Sequence, residues 1–167
     1  SQVAPSKTRG SFFTAALTTL RLFTNPYICD MTSTSDFTIE EFCSNKTAIF
    51  IILPDEKVTY YSLASLFVNQ LYELIVNIAD ARGGRLLRRV NFNLDEFGNF
   101  MAINAFATKL TVGGGRGCRF NLYVQSMAQL EDKYGRKVYP TIIGNCHVWV
   151  YLQADDPETQ KLMSEKL

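Results

Sequence analysis

The residues best suited to chemistry are two neighbouring acids, Asp95 and Glu96. They close the run Val90-Asn-Phe-Asn-Leu94, in which Val90, Phe92 and Leu94 alternate with polar residues as in a strand with one buried face. Two carboxylates at a strand end can divide two jobs, as in the Walker B arrangement. Asp95 would hold or orient a Mg²⁺ ion bridging the phosphates of ATP, and Glu96 would orient and polarise an attacking water. Phosphoryl transfer depends on such positioning and charge neutralisation. Taken alone, the pair reads more readily as a solvated loop or a helix cap. Gln125 and Ser126 follow the next strand-like run, where a neutral hydrogen-bonding side chain can sense a γ-phosphate; an ordinary surface glutamine is the competing reading. Arg116 and Arg119 flank Gly117 and could reach a neighbouring subunit's nucleotide or a DNA phosphate. A solvated basic turn would look the same.

Other chemistries find little support. The glycine run 113–117 lacks the G-x-x-x-x-G-K-[ST] pattern and leads into a strand, whereas a phosphate-binding loop leads into a helix. Cys29, Cys43, Cys118 and Cys146 have no C-x-x-C spacing, so they read as reduced, mostly buried thiols of a cytosolic protein. His147, the one histidine, opens an apolar run and reads as structural. No G-x-S-x-G and no Cys–His spacing points to a hydrolase.

The elements that must position these groups alternate between strands and helices. Helices are expected over Ser11 to Thr24, from Thr38, over Thr59 to Asp80, Phe100 to Leu110, Met127 to Tyr134 (stopped by Gly135) and Pro157 to Lys166. Strands are expected at Ala48 to Leu53, Val90 to Leu94, Phe120 to Val124 and His147 to Leu152. Residues 1–10, Met31 to Phe37 and Gly113 to Gly117 read as loops. Such alternation implies parallel crossovers in a three-layer α/β/α domain with a mostly parallel sheet. The length of 167 residues fits one domain, taken as 11–167 after a loop or disordered end at 1–10. The formal charge of +1 makes no case for or against nucleic acid. The longest apolar-rich stretch, Tyr60 to Ala79, is broken by Asn69, Gln70, Glu73 and Asn77, and reads as a core helix. The start, Ser-Gln-Val-Ala-Pro, has no signal pattern and reads as a cut inside a longer protein.

Several segments together resemble the TraG/TraD-type coupling proteins of conjugative DNA transfer. Val90-Asn-Phe-Asn-Leu-Asp-Glu-Phe-Gly-Asn99 resembles their Walker B segment, and Arg116-Gly-Cys-Arg-Phe120 the arginine-glycine segment after it. Tyr123-Val-Gln-Ser-Met-Ala-Gln-Leu-Glu-Asp-Lys-Tyr-Gly135 is similar to their Gln-Ser…Gln-Leu…Tyr-Gly motif. Ile143-Gly-Asn-Cys146 and Asp156-Pro-Glu-Thr159…Ser164 resemble the segments that come next. The resemblance implies the C-terminal half of a RecA-like P-loop NTPase motor, lacking the P-loop strand, and hexameric when assembled. It would use ATP and Mg²⁺ in the full-length protein, with none expected in the fragment alone. It would link a DNA–relaxase complex to a type IV secretion channel at the cytoplasmic face of the bacterial membrane, this segment itself making no membrane contact. Asp95, Glu96 and Gln125 would be catalytic, with Arg116 or Arg119 acting across a subunit interface. The family's additional Arg stands where this chain has Gly114. A different class of function fits as well: a docking and oligomerisation module for relaxosome or channel proteins, without nucleotide chemistry of its own. Without the P-loop strand, open strand edges are expected to pair with another chain or to leave a rearranged sheet.

Overall fold

The structure, a computed structural model, describes residues 20–54 and 59–166. The loop expected at 1–10 and the start of the helix expected from Ser11 lie outside the described residues; its end, Arg21–Thr24, is a single 3-10 turn. The chain divides into two compact units between Thr38 and Ile39.

In the first unit, helix α1 (Pro26–Ser33) starts on the Asn25 side chain, which accepts from the Tyr27 backbone N–H at 2.9 Å, with proline at the first helical position. It carries Met31 to Ser33, read from sequence as loop. The hydroxyls of Thr32 and Ser33 donate back to the carbonyls of Ile28 and Asp30, both at 2.7 Å, so polar side chains that usually compete with a helix are absorbed into it.

The second unit contains helix α2 (Ile39–Ser44), helix α3 (Thr59–Ala81), strand β1 (Val90–Leu94), helix α4 (Phe106–Arg116), strand β2 (Cys118–Leu122), helix α5 (Met127–Gly144) and helix α6 (Pro157–Lys166). The strands are parallel, in register from Val90 opposite Cys118 to Leu94 opposite Leu122. The protein is thus a mixed helix–strand fold around a small parallel sheet, compatible with the α/β class. One face of the sheet is apolar. Phe92 stacks on Phe120 with centroids 4.7 Å apart, Tyr72 of α3 meets both rings, and Phe106 of α4 meets Phe120 edge-on at 5.4 Å. The other face carries exposed Asn91, Asn93, Arg119 and Asn121, with Asn121 Nδ2 donating to Asn93 Oδ1 at 2.7 Å.

α3 is 23 residues long and by length and composition alone could cross a bilayer. It is amphipathic: Tyr61, Ala64, Val68, Leu71, Ile75 and Ala79 are buried, while Gln70, Glu73 and Asn77 are exposed.

Two expected strands do not form. Residues 48–53 and 147–152 have no regular secondary structure, with Phe50 87%, Ile52 92%, Val148 84% and Leu152 91% exposed. A strand requires a hydrogen-bonding neighbour, and neither run has one among the described residues. The three-layer arrangement is therefore not built by these residues. The glycine run is likewise not a loop. Gly113 to Gly115 lie inside α4, where Gly113 packs against Cys118, Phe120 and Tyr72, and Gly117 ends the helix at φ 93°. The helix expected from Phe100 starts at Phe106, after a 3-10 turn at Phe97–Asn99. The strand expected at Phe120 to Val124 lies two residues earlier, where it pairs with β1. At Gly135 the backbone leaves the helical region, at φ 75° and ψ 159°, so the first helical segment of α5 ends at Tyr134 as expected and a second runs on past the kink to Gly144.

Candidate functional site

The parallel pairing brings the ends of β1 and β2 together and continues past both strands. Tyr123 N–H donates to the Leu94 carbonyl at 3.1 Å, and Phe97 N–H to the Tyr123 carbonyl at 2.9 Å. Asp95 and Glu96 lie between those contacts. Asp95 is exposed, and its Oδ1 accepts from the Glu96 N–H at 3.1 Å. Glu96 is half-buried and left-handed, at φ 49° and ψ 40°, a region that costs a residue with a Cβ about 1–2 kcal/mol. Gln125 Nε2 donates to both Glu96 carboxylate oxygens, at 2.9 and 3.1 Å. Both acids are among the residues lining an open groove of about 900 Å³, with the stretch 42–53, part of α3 and β1.

The left-handed turn at Glu96 is held by its neighbour. Phe97 is fully buried, with rings of Phe100, Phe106 and Tyr134 at 5.6, 5.0 and 6.3 Å. The chain must pass from an exposed carboxylate to this core position within two residues, and the left-handed conformation makes that reversal. α5 clamps the turn from the other side. Lys133 Nζ donates to the carbonyls of Phe97, at 3.1 Å, and Gly98; burial lowers its pKa. Gln129 packs so closely on Gly98 that a side chain there would displace it. Tyr134 accepts from the Ile103 N–H at 3.2 Å, and burial pushes its phenol up to about 12.

The spacing of the Gln-Ser…Gln-Leu…Tyr-Gly segment now has a physical account. Gln125 holds Glu96; Ser126 caps α5 by accepting from Ala128 N–H at 3.1 Å; Gln129 abuts Gly98; Leu130 and Tyr134 enter the core; Gly135 bends the helix. Sequence reasoning singled out Gln125 and Ser126 as site residues and passed over Gln129 and Lys133. Their separation of four, one face of a helix, was the signal available.

The structure brings Asp95, Glu96, Gln125 and Ser126 to one edge of the sheet. It does not bring the arginines there. Arg116 ends α4 at the opposite edge and pairs with Asp80 of α3. Arg119 sits on β2 opposite Asn91, on the exposed polar face, roughly 10 Å along the strand from Leu122 at ~3.3 Å per residue. His147 is exposed in an unpaired segment.

A helix between two parallel strands, with a carboxylate past the end of one strand bonded to an amide past the end of the next, is a unit of α/β proteins whose polar groups gather at the carboxyl edge of the sheet. The chain belongs to the family described as type IV secretory system conjugative DNA transfer, whose model matches residues 2–167. The resemblance carried by residues 90–99, 116–120 and 123–135 is thereby borne out. Among curated relatives, the protein VirD4 of Rhizobium radiobacter is 28% identical over 149 residues, 89% of this chain and 21% of the relative. A conjugal transfer protein TraG of Escherichia coli is 27% identical over 154 residues, 86% of this chain and 24% of its own length. A second Escherichia coli TraG is 26% identical over 171 residues, covering 96% and 27%. The chain thus spans between 21% and 27% of the length of these relatives. No solved structure matches it.

Proposed function

We propose that this chain forms the C-terminal half of a RecA-like, ATP-driven motor in a conjugative coupling protein, passing a relaxase–DNA complex to a type IV secretion channel. The observation that carries the reading is the Glu96–Gln125 pair. Two residues 29 apart in sequence meet at the carboxyl ends of adjacent parallel strands, beside exposed Asp95.

These groups fit magnesium carried by a nucleotide better than a protein-bound metal. Mg²⁺ keeps several waters and takes one or two carboxylates plus phosphates. Among the described residues no group of three or more His, Cys, Asp or Glu side chains forms a cage. Bound Mg²⁺·ATP supplies the transferable γ-phosphoryl group with its charge partly neutralised. Asp95, exposed at the strand end, would hold or orient such an ion. Glu96, its carboxylate held by Gln125, would orient and polarise the attacking water. Gln125, a neutral donor, keeps the carboxylate aimed and would sense the γ-phosphate. Arg116 or Arg119, remote from this edge, serves a neighbouring subunit of a homohexamer or a DNA phosphate. The phosphate cradle must come from outside these 167 residues, because no G-x-x-x-x-G-K-[ST] occurs among them. The assembled motor works at the cytoplasmic face of the bacterial membrane.

The test is DNA-stimulated ATP hydrolysis by the full-length polypeptide as encoded, beside Glu96→Gln. The wild type should turn over ATP. The variant should bind it and lose roughly a hundredfold or more in rate, the size of a positioned acid–base group. A second reading, a docking and oligomerisation module, is favoured by the exposed apolar runs at Phe50–Ile52 and Val148–Leu152, which call for a cover. It takes over if both proteins are equally inactive yet bind relaxosome proteins.

A further inference from the structure

Two helix N-termini meet beside Gln125, and the chemistry assigned so far uses neither of them. Ser126, the cap of α5, donates its hydroxyl to Asp156 Oδ2 at 3.1 Å. The same oxygen caps α6, accepting from the Thr159 N–H at 2.9 Å and from the Thr159 hydroxyl. Thr159 Oγ1 in turn accepts from the Met127 N–H at 3.0 Å. Thr159 is buried, 5% exposed. One carboxylate and one buried hydroxyl thus lock the starts of α5 and α6 together, 30 residues apart in sequence.

The consequence falls on Gln125. An unbranched amide on an exposed strand end samples several rotamers. To donate to both oxygens of Glu96 it needs a fixed Cα. The two residues that follow, Ser126 and Met127, are each tied to α6, and Tyr123, two before it, is tied to β1 through Leu94 and Phe97. The stretch 123–127 is therefore held from both ends, and only the α6 end depends on residues outside the strand-exit loops.

We infer that Asp156 and Thr159 are positioning residues for the Glu96–Gln125 pair, transmitting the placement of α6 to the carboxylate that orients water. The inference rests on the motor reading above. Neither residue touches the reacting groups; Asp156 acts through the Ser126 hydroxyl and Thr159 through the Met127 backbone N–H. The hydrogen bonds that Thr159 makes to Asp156 hold the Asp156 carboxyl below its usual range, as expected of a carboxylate that serves as a fixed acceptor.

The experiment uses the full-length polypeptide and three variants, with two readouts: steady-state ATP hydrolysis and backbone hydrogen exchange over residues 123–130. Thr159→Val keeps the shape and deletes the hydroxyl as both donor and acceptor. Thr159→Ser keeps the hydroxyl. Thr159→Val should lower kcat about tenfold with KM for ATP within about twofold. It should speed exchange over 123–130 about tenfold, the size expected when one or two hydrogen bonds are lost. Thr159→Ser should restore both. Exchange unchanged in Thr159→Val overturns the inference, and so does faster exchange with unchanged kcat, which would reduce the network to a helix cap. If Thr159→Val unfolds throughout, Asp156→Asn takes its place, with the same two effects expected at about threefold. A wild type without turnover overturns the motor reading itself, a failure visible before any variant is compared.

Discussion

The backbone at Glu96 makes a prediction whose sign is opposite to the usual one. At φ 49° and ψ 40° this residue sits in the left-handed region, between exposed Asp95 and fully buried Phe97. A residue with a Cβ costs about 1–2 kcal/mol there. Glycine avoids that cost but loses about 0.5–1 kcal/mol of unfolded-chain freedom. Glu96→Gly and Glu96→Ala both remove the carboxylate and its two bonds from Gln125, so that loss cancels in the comparison. At mid-range values the difference leaves Gly more stable than Ala by about 0.75 kcal/mol. In an ordinary helix or strand Ala would be the more stable by about the same amount. Urea unfolding of the two variants, followed by circular dichroism, measures the difference directly. An alanine variant as stable as the glycine variant, or more so, would refute the view that the carboxylate is held in a strained backbone by the buried phenylalanine after it.

Two further outcomes follow from the core. Tyr134→Phe leaves the buried Ile103 N–H without its acceptor and should cost about 1–2 kcal/mol in the same denaturation assay. The phenol's pKa is raised to about 12 in the folded chain, so the unfolded chain loses this proton first. Stability from this group is complete below about pH 10 and falls as pH rises from there through 12, and Tyr134→Phe should flatten that alkaline fall. Of the thiols, exposed Cys29 should label first with a thiol reagent. Cys118, buried and pushed up to about 11, should label only after unfolding; peptide mapping that finds Cys118 labelled as fast as Cys29 would contradict the fold.

Where local pattern and final packing agree, the chain was legible. The alternation from Val90 to Leu94, the amphipathic stripe of α3 and the proline start of α6 each name their element, because each buries one face and the period of that face is written in the side chains. The Asp95-Glu96 pair and Gln125 were legible for the same reason: they stand where periodic segments end.

What the residues determined by themselves, then, is the identity of the polar groups and the faces that must be buried. The tertiary structure decided the rest, and for two physical reasons. Pairing is a property of two segments, so the β-branched run at Ala48 to Leu53 and the one at His147 to Leu152 remain unpaired although each reads as a strand. Packing overrides propensity, so α4 continues through the glycine run, with Gly113 set against Cys118 and Phe120. The candidate site is itself such a result. Glu96 meets Gln125, and Ser126 meets Asp156, only because β1 and β2 pair in one register and the starts of α5 and α6 share a single carboxylate.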